Sequence, residues 1–135
     1  MEDRPLVFVV DDDEGMCRAL TRLLHSANIE AAVFHSAKDA LHAMTISEPD
    51  CIVLDIELPD FNALDLLELN QTLHPGVPVV IITAWEDEEL RRKALKSGVI
   101  GFFYKPFADD AFLHAVETAL AKRKKPLNAH DPDWP

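Results

Sequence analysis

Four short apolar runs, each closed by a polar residue that the run does not predict, constrain this chain more than any other feature. Leu6-Val7-Phe8-Val9-Val10 stops at Asp11-Asp12, and Cys51-Ile52-Val53-Leu54 stops at Asp55. Val79-Val80-Ile81-Ile82 ends at Thr83, and the run from Val99 to Tyr104 ends at Lys105. The first three are unbroken rather than alternating, and rich in β-branched residues. Strands of that kind are covered on both faces, as in a parallel sheet with helices above and below.

Helical spacing fills the intervals. Met16, Leu20, Leu23, Leu24 and Ala27 recur on one face, with Asn28 as the stop. Ile29 to Phe34 reads as a weaker strand. Ser36 and Asp39 form a capping-box-like start for a helix carrying Ala37, Ala40, Leu41 and Met44. A leucine-rich helix spans about Asn62 to Leu73 and is broken by His74-Pro75-Gly76. Glu86 to Ser97 reads as a helix with Leu90, Ala94 and Leu95 inward and the pairs Glu88/Arg92 and Glu89/Lys93 on its wet face. Gly98 ends it. Phe112, Val116, Ala119 and Leu120 mark a last helix beginning near Asp109. Five β/α units with short connections imply an open α/β sheet with helices on both faces. The first 122 residues read as one domain and residues 123–135, where the apolar period is lost, as a linker or disordered tail.

Composition narrows the function. A net charge of −11 is the wrong sign for a free-standing nucleic-acid binder. No apolar run approaches the roughly 20 residues of a membrane span. Two cysteines, Cys17 and Cys51, form no CxxC and no disulfide framework, which reads as a reducing cytoplasm. With glycine only at 15, 76, 98 and 101, neither GxGxxG nor GxxxxGK[ST] is present. The six histidines show no metal spacing and read as surface or partly buried groups, and the two cysteines as buried thiols.

In an open parallel sheet the carboxyl ends of the strands share one edge, where functional groups gather. That brings Asp11, Asp12, Asp55, Thr83 and Lys105 together. Carboxylates so close repel unless a cation sits among them. Hard oxygen donors without His or Cys spacing point to Mg2+, with Mn2+ as the alternative. An ammonium and a hydroxyl beside them can hold a tetrahedral anion. The inferred task is phosphoryl handling with a carboxylate nucleophile. Each residue alone has a blander reading. Asp11 to Asp13 suit a helix N-terminus, Thr83 an ordinary strand end, and Lys105 an ordinary surface cation. Asp13 is assigned to that capping role.

The segments Val9-Val10-Asp11-Asp12-Asp13, Ile52 to Pro59, Ile81-Ile82-Thr83-Ala84 and Gly101 to Phe107 resemble, in order and spacing, the receiver domain of two-component response regulators. The likeness covers roughly residues 5 to 122. It implies a flavodoxin-like (βα)5 fold with strand order 2-1-3-4-5. It also implies that Asp55 accepts a phosphoryl group from a histidine kinase or a histidine phosphotransfer protein. Asp12 and Asp55 would ligate Mg2+, Asp11 directly or through water, and the Glu57 backbone carbonyl would complete the set. Lys105 and Thr83 would contact phosphoryl oxygens, and Ala84 would leave room and offer its N–H. Lys105-Pro106 would be cis. Thr83 and Phe102 would form the switch, altering the face of the fourth helix, fifth strand and fifth helix for a partner, a second copy among them. Glu57 and Trp85 would tune the phosphoryl lifetime. Such a chain is a signalling phosphoacceptor, not an enzyme beyond its own phosphotransfer and autodephosphorylation.

One departure stands out. Ala63 occupies a position where this family usually carries glycine; if that position needed φ > 0, alanine would cost on the order of 1 kcal/mol or reshape the loop. Two rival readings remain. A haloacid-dehalogenase-type phosphatase also uses an aspartyl nucleophile, but Gly15 replaces its expected Thr or Val and the chain has no room for a cap. A phosphorylation-independent module of receiver shape would not need its acids, Thr83 and Lys105 intact.

Overall fold

The computed structural model of the chain describes residues 4–123. Five strands alternate with five helices: β1 Leu6–Val10, α1 Glu14–Ser26, β2 Glu30–Phe34, α2 Ala37–Met44, β3 Cys51–Asp55, α3 Ala63–Leu73, β4 Val79–Thr83, α4 Glu88–Lys96, β5 Gly101–Tyr104 and α5 Asp109–Arg123. All pairings are parallel, in the order β2-β1-β3-β4-β5. The unbroken apolar runs are the interior strands: every residue of β3 and β4 is buried. The mixed strands, β2 and β5, are the half-buried edges.

Period-two alternation splits the sheet between two cores. Phe8, Val10, Ile52, Leu54 and Ile81 face α2, α3 and α4, against Met44, Leu66, Leu67 and Ala94. Val7, Val9, Val53, Val80 and Ile82 face α1 and α5, against Leu20, Leu24, Phe112 and Val116. Cys17 and Cys51 belong to that second core, both as free thiols. No helix among the described residues is long and apolar enough to cross a membrane.

Short polar side chains start the helices. Asp13 accepts from the N–H groups of Gly15 and Met16, as its capping assignment requires. Ser36 accepts from Asp39 N, Asn62 from Leu64 N, and Asp87 from Glu89 N and Leu90 N. After α1, Asn28 takes the left-handed conformation (φ 65°), and Gly98 does so after α4 (φ 92°).

Several boundaries differ from the sequence reading. α4 starts at Glu88 rather than Glu86, because Asp87 leaves the helix to cap it. Arg92 then meets Glu89 at 3.9 Å instead of Glu88, which reaches Arg91 at 4.0 Å, while Glu89 and Lys93 pair at 3.8 Å as expected. β5 starts at Gly101 and β2 at Glu30. Arg123, read as the first tail residue, is the last residue of α5 and pairs with Glu48. The remaining tail, 124–135, lies outside the described residues. Ala63 opens α3 without a left-handed φ, so the expected glycine penalty does not arise there.

Candidate functional site

The parallel sheet carries the polar strand ends to one edge. Asp11 and Asp55 are almost fully buried there (0% and 2% exposed), and Thr83 is fully buried, whereas Asp12 is exposed. Lys105 directly follows β5, and its N–H donates to Thr83 O at 2.7 Å. The Lys105–Pro106 peptide is cis, as the resemblance implies.

One ammonium joins the two buried acids. Lys105 Nζ donates to Asp11 Oδ2 at 2.9 Å and to Asp55 Oδ2 at 3.2 Å. Each acid's second oxygen is also held: Asp11 Oδ1 accepts from Asp13 N and Asp55 Oδ1 from Glu57 N, both at 2.9 Å. Carboxylate oxygens of Asp11, Asp12 and Asp55 lie within 4.8 Å of one another. Two of the three acids share one ammonium, Asp12 stands beside them, and all the converging ligand atoms are hard oxygens. That donor set fits a small divalent cation such as Mg2+.

The electrostatics agree with the crowding. Burial, and after it the charge of Asp11, pushes the Asp55 carboxyl up to about 6, against the Glu57 N–H and Lys105, which pull it down. For Lys105 burial pulls downward, but the hydrogen bond to Asp11 and the charges of Asp55 and Asp11 outweigh it, and the net shift is upward. Lys105 is thus held firmly as a cation.

The other predicted residues line the same rim. Thr83 Oγ1 accepts from Trp85 N at 3.0 Å, which leaves its O–H to donate elsewhere. Ala84 N–H, expected to be open for an anion, donates to Glu57 Oε1 at 3.3 Å. Trp85 stands half exposed beside them. Phe102 is paired with Ile81, two residues before Thr83 on the same strand and thus on the same face of the sheet. Its ring packs edge-on to Tyr104 at 5.5 Å and lies 5.9 Å from the Arg91 guanidinium of α4.

Four contacts near the site were not anticipated. His35 Nδ1 and Cys17 Sγ each lie 3.2 Å from the backbone carbonyl oxygen of Asp11. Asp60 accepts from Ala37 N and Lys38 N at 3.1 and 3.2 Å, tying the loop after β3 to the start of α2. The Ala37 N–H, and with it the Lys38 N–H, holds the Asp60 carboxyl below its usual range despite slight desolvation. His35 had a readable signal: it follows the last residue of a strand, so it had to reach the functional edge. Burial, then the charges of Asp11 and Asp13, raises the Cys17 thiol to about 11.

Comparison with known proteins agrees with this geometry. Residues 7–117 match the family model of the response regulator receiver domain. Nodulation protein W of Bradyrhizobium diazoefficiens is 35% identical over 90% of this chain and 54% of its own length. The response regulator protein TodT of Pseudomonas putida is 31% identical over 89% and 53%. The chain therefore spans about half the length of these curated relatives. Among solved structures, a response regulator receiver protein from Burkholderia phymatum superposes with a TM-score of 0.77 at 35% identity, covering 87% of this chain and 96% of that one. A CheY-like receiver domain protein from Methanospirillum hungatei reaches a TM-score of 0.85 over 90% and 98%; at 22% identity it speaks to the fold alone. The chain belongs to the receiver-domain family of two-component response regulators.

Proposed function

We propose that Asp55 is the phosphoacceptor of this receiver, taking a phosphoryl group from a phosphohistidine on a histidine kinase or a histidine phosphotransfer protein. The observation that carries this reading is the Lys105 ammonium bridging two buried carboxylates beside a third. Asp11, Asp12 and Asp55 would hold Mg2+, together with the Glu57 backbone carbonyl. Bound there, the ion would neutralise charge on the transferring group. The chain's own residues supply the rest. Asp55 presents Oδ2, which must part from Lys105 to attack. The freed ammonium then meets the phosphoryl oxygens, and the Thr83 O–H donates to one of them. For Ala84 N–H to donate as well, the Glu57 carboxylate has to release it.

The switch would run through Thr83 and Phe102. Movement of Thr83 toward the phosphoryl group opens space on the sheet face that Phe102 shares. Phe102 has no hydroxyl, so the change is one of packing, and its inward swing would break the Arg91 contact on α4. The face of α4, β5 and α5 would then be remade for a partner, a second copy of the chain included. Only contacts that differ between the two states shift their populations. The receiver relatives support this signalling reading over the phosphatase and the phosphorylation-independent module.

Incubation with acetyl phosphate and Mg2+, read by intact mass, tests the proposal. Wild type is expected to gain one phosphate and Asp55→Asn none; equal gain in both would place the acceptor elsewhere. Trp85 beside the site is expected to slow water attack on the acyl phosphate. Trp85→Ala should shorten the phosphoryl lifetime a few-fold, followed by loss of the added mass after donor removal. An unchanged lifetime would remove Trp85 from that role.

A further inference from the structure

We propose that His35 is a positioning residue for the acidic cluster: with Cys17 it holds the backbone carbonyl of Asp11, and so fixes the carboxylate that faces Asp55 and Lys105. The inference rests on the phosphoacceptor reading of this site and adds a residue on the edge strand's side to it.

Asp11 sits one residue past β1. Its N–H makes a last rung to Phe34 O at 3.0 Å, after which β2 turns away at His35. The Asp11 carbonyl therefore leaves the ladder inside a residue with no exposed surface. A buried carbonyl needs donors, and an oxygen with two lone pairs can take two. His35 Nδ1 and Cys17 Sγ supply them, each at 3.2 Å, from β2's end and from α1. Because a carbonyl only accepts, the proton of a neutral His35 ring belongs on Nδ1. Asp11 is then held by donors from four places: Asp13 N and Lys105 Nζ on its carboxylate, His35 and Cys17 on its carbonyl. The carbonyl contacts restrain the peptide unit from which that carboxylate projects.

His35 and Cys17 line an open groove of about 480 Å³ between α1 and β2, together with Thr21 and Val33. Without the imidazole, water from this groove reaches the Asp11 carbonyl, a mobile substitute for a fixed donor. Partners that orient metal ligands from outside the coordination sphere typically change metal affinity about 10–100-fold. His35 acts on the backbone of one acid rather than on a ligand atom, so a smaller effect is expected, about fivefold.

The test compares His35→Leu, which has no donor, with His35→Asn, whose amide N–H can take the place of Nδ1. Mg2+ affinity is read by calorimetric titration, phosphate uptake from acetyl phosphate by intact mass, and folding by thermal unfolding. His35→Leu is expected to bind Mg2+ about fivefold more weakly, and to take up phosphate more slowly by a similar factor at limiting Mg2+ but not at saturation. His35→Asn should restore both. His35→Ala replaces the leucine variant if that one does not fold. A folded donor-free variant with wild-type Mg2+ affinity would overturn the positioning role, as would an asparagine variant no better than leucine. The metal titration separates this claim from the phosphoacceptor reading. Wild type that binds Mg2+ but takes no phosphate sinks the acceptor assignment and leaves His35 to be judged on affinity. Wild type that binds no Mg2+ sinks the positioning role itself.

Discussion

Metal-free Asp55→Asn is expected to be more stable than wild type near neutral pH, because the site is built against its own stability. The Asp55 carboxyl, with an ordinary value of 3.8, sits at about 6 in the folded chain, chiefly through burial and then the charge of Asp11. A folded-state value above the unfolded one means that the folded chain binds the proton more tightly. The resulting stability is fully present below about pH 4 and is lost as the pH rises through 6. At 1.36 kcal/mol per unit, ionised Asp55 costs on the order of 3 kcal/mol at about pH 7.5. Asparagine is nearly isosteric and carries no charge. It retains one oxygen for the Glu57 N–H, but loses the ionic contact with Lys105. A net gain of roughly 1–3 kcal/mol follows, which for a domain of this size is a Tm rise on the order of 5 °C. Thermal unfolding with a chelator, from about pH 8 down to about pH 5, should show the gap closing as the solution is acidified. Added Mg2+ should stabilise wild type more than the variant and narrow the gap from the other side. An asparagine variant less stable than wild type at pH 7.5, or a gap indifferent to pH, would mean that Asp55 is not held in an unfavourable ionised state.

That cost explains why the centre of the site could be read from the chain. A strand buried on both faces has no packing reason to end in a carboxylate, so Asp11 and Asp55 announce themselves against Leu6 to Val10 and Cys51 to Leu54. Thr83 and Lys105 follow from the same contrast, and the parallel topology brings the four ends together without further information. The caps at Asp13 and Ser36 were legible because their partners lie two or three residues on. Long-range polar contacts were not. His35 to Asp11, Glu57 to Ala84, Asp60 to Ala37 and Arg123 to Glu48 join residues 20 or more positions apart. The place of His35 at the functional edge, and of Glu57 and Ala84 beside the acceptor, could be read, but not the partner each would meet; Asp60, Arg123 and Glu48 look like ordinary surface groups in the sequence. The start of α4 failed for a different reason: Glu86, Asp87, Glu88 and Glu89 present four acids in a row, and composition cannot say which one leaves the helix. Asp87 does, its short side chain reaching both Glu89 N and Leu90 N at 3.1 Å. At Arg123 the loss of apolar period suggested a tail, but the guanidinium is largely covered and paired with Glu48, which holds the last turn of α5 to the loop before β3.

Replacing Lys105 by methionine is expected to damage both the stability of the site and its phosphate uptake while leaving the acceptor carboxyl in place. Methionine keeps much of the length and apolar stem but removes the charge that two buried acids share. In the metal-free chain Asp11 and Asp55 then face each other with no cation between them, and a proton must take its place. Asp55 is the acid that takes it, since its carboxyl is already the one pushed upward. Phosphoryl uptake suffers twice. A protonated Asp55 is a poor nucleophile, and the ammonium that would meet the phosphoryl oxygens is gone. Loss of a single preorganised donor of this kind costs on the order of 100-fold or more in rate. Uptake from acetyl phosphate should fall by at least that factor even with Mg2+ in excess. Stability gives an independent reading. Lys105→Met alone should lower the Tm of the metal-free chain, and Mg2+ should recover more of it than it adds to wild type. In combination with Asp55→Asn the penalty should shrink, because only one buried carboxylate then lacks a cation. The two substitutions are therefore non-additive, as expected for groups 3.2 Å apart. Additive effects on Tm, or wild-type phosphate uptake by the methionine variant, would show that Lys105 works apart from the two acids rather than as the charge that joins them.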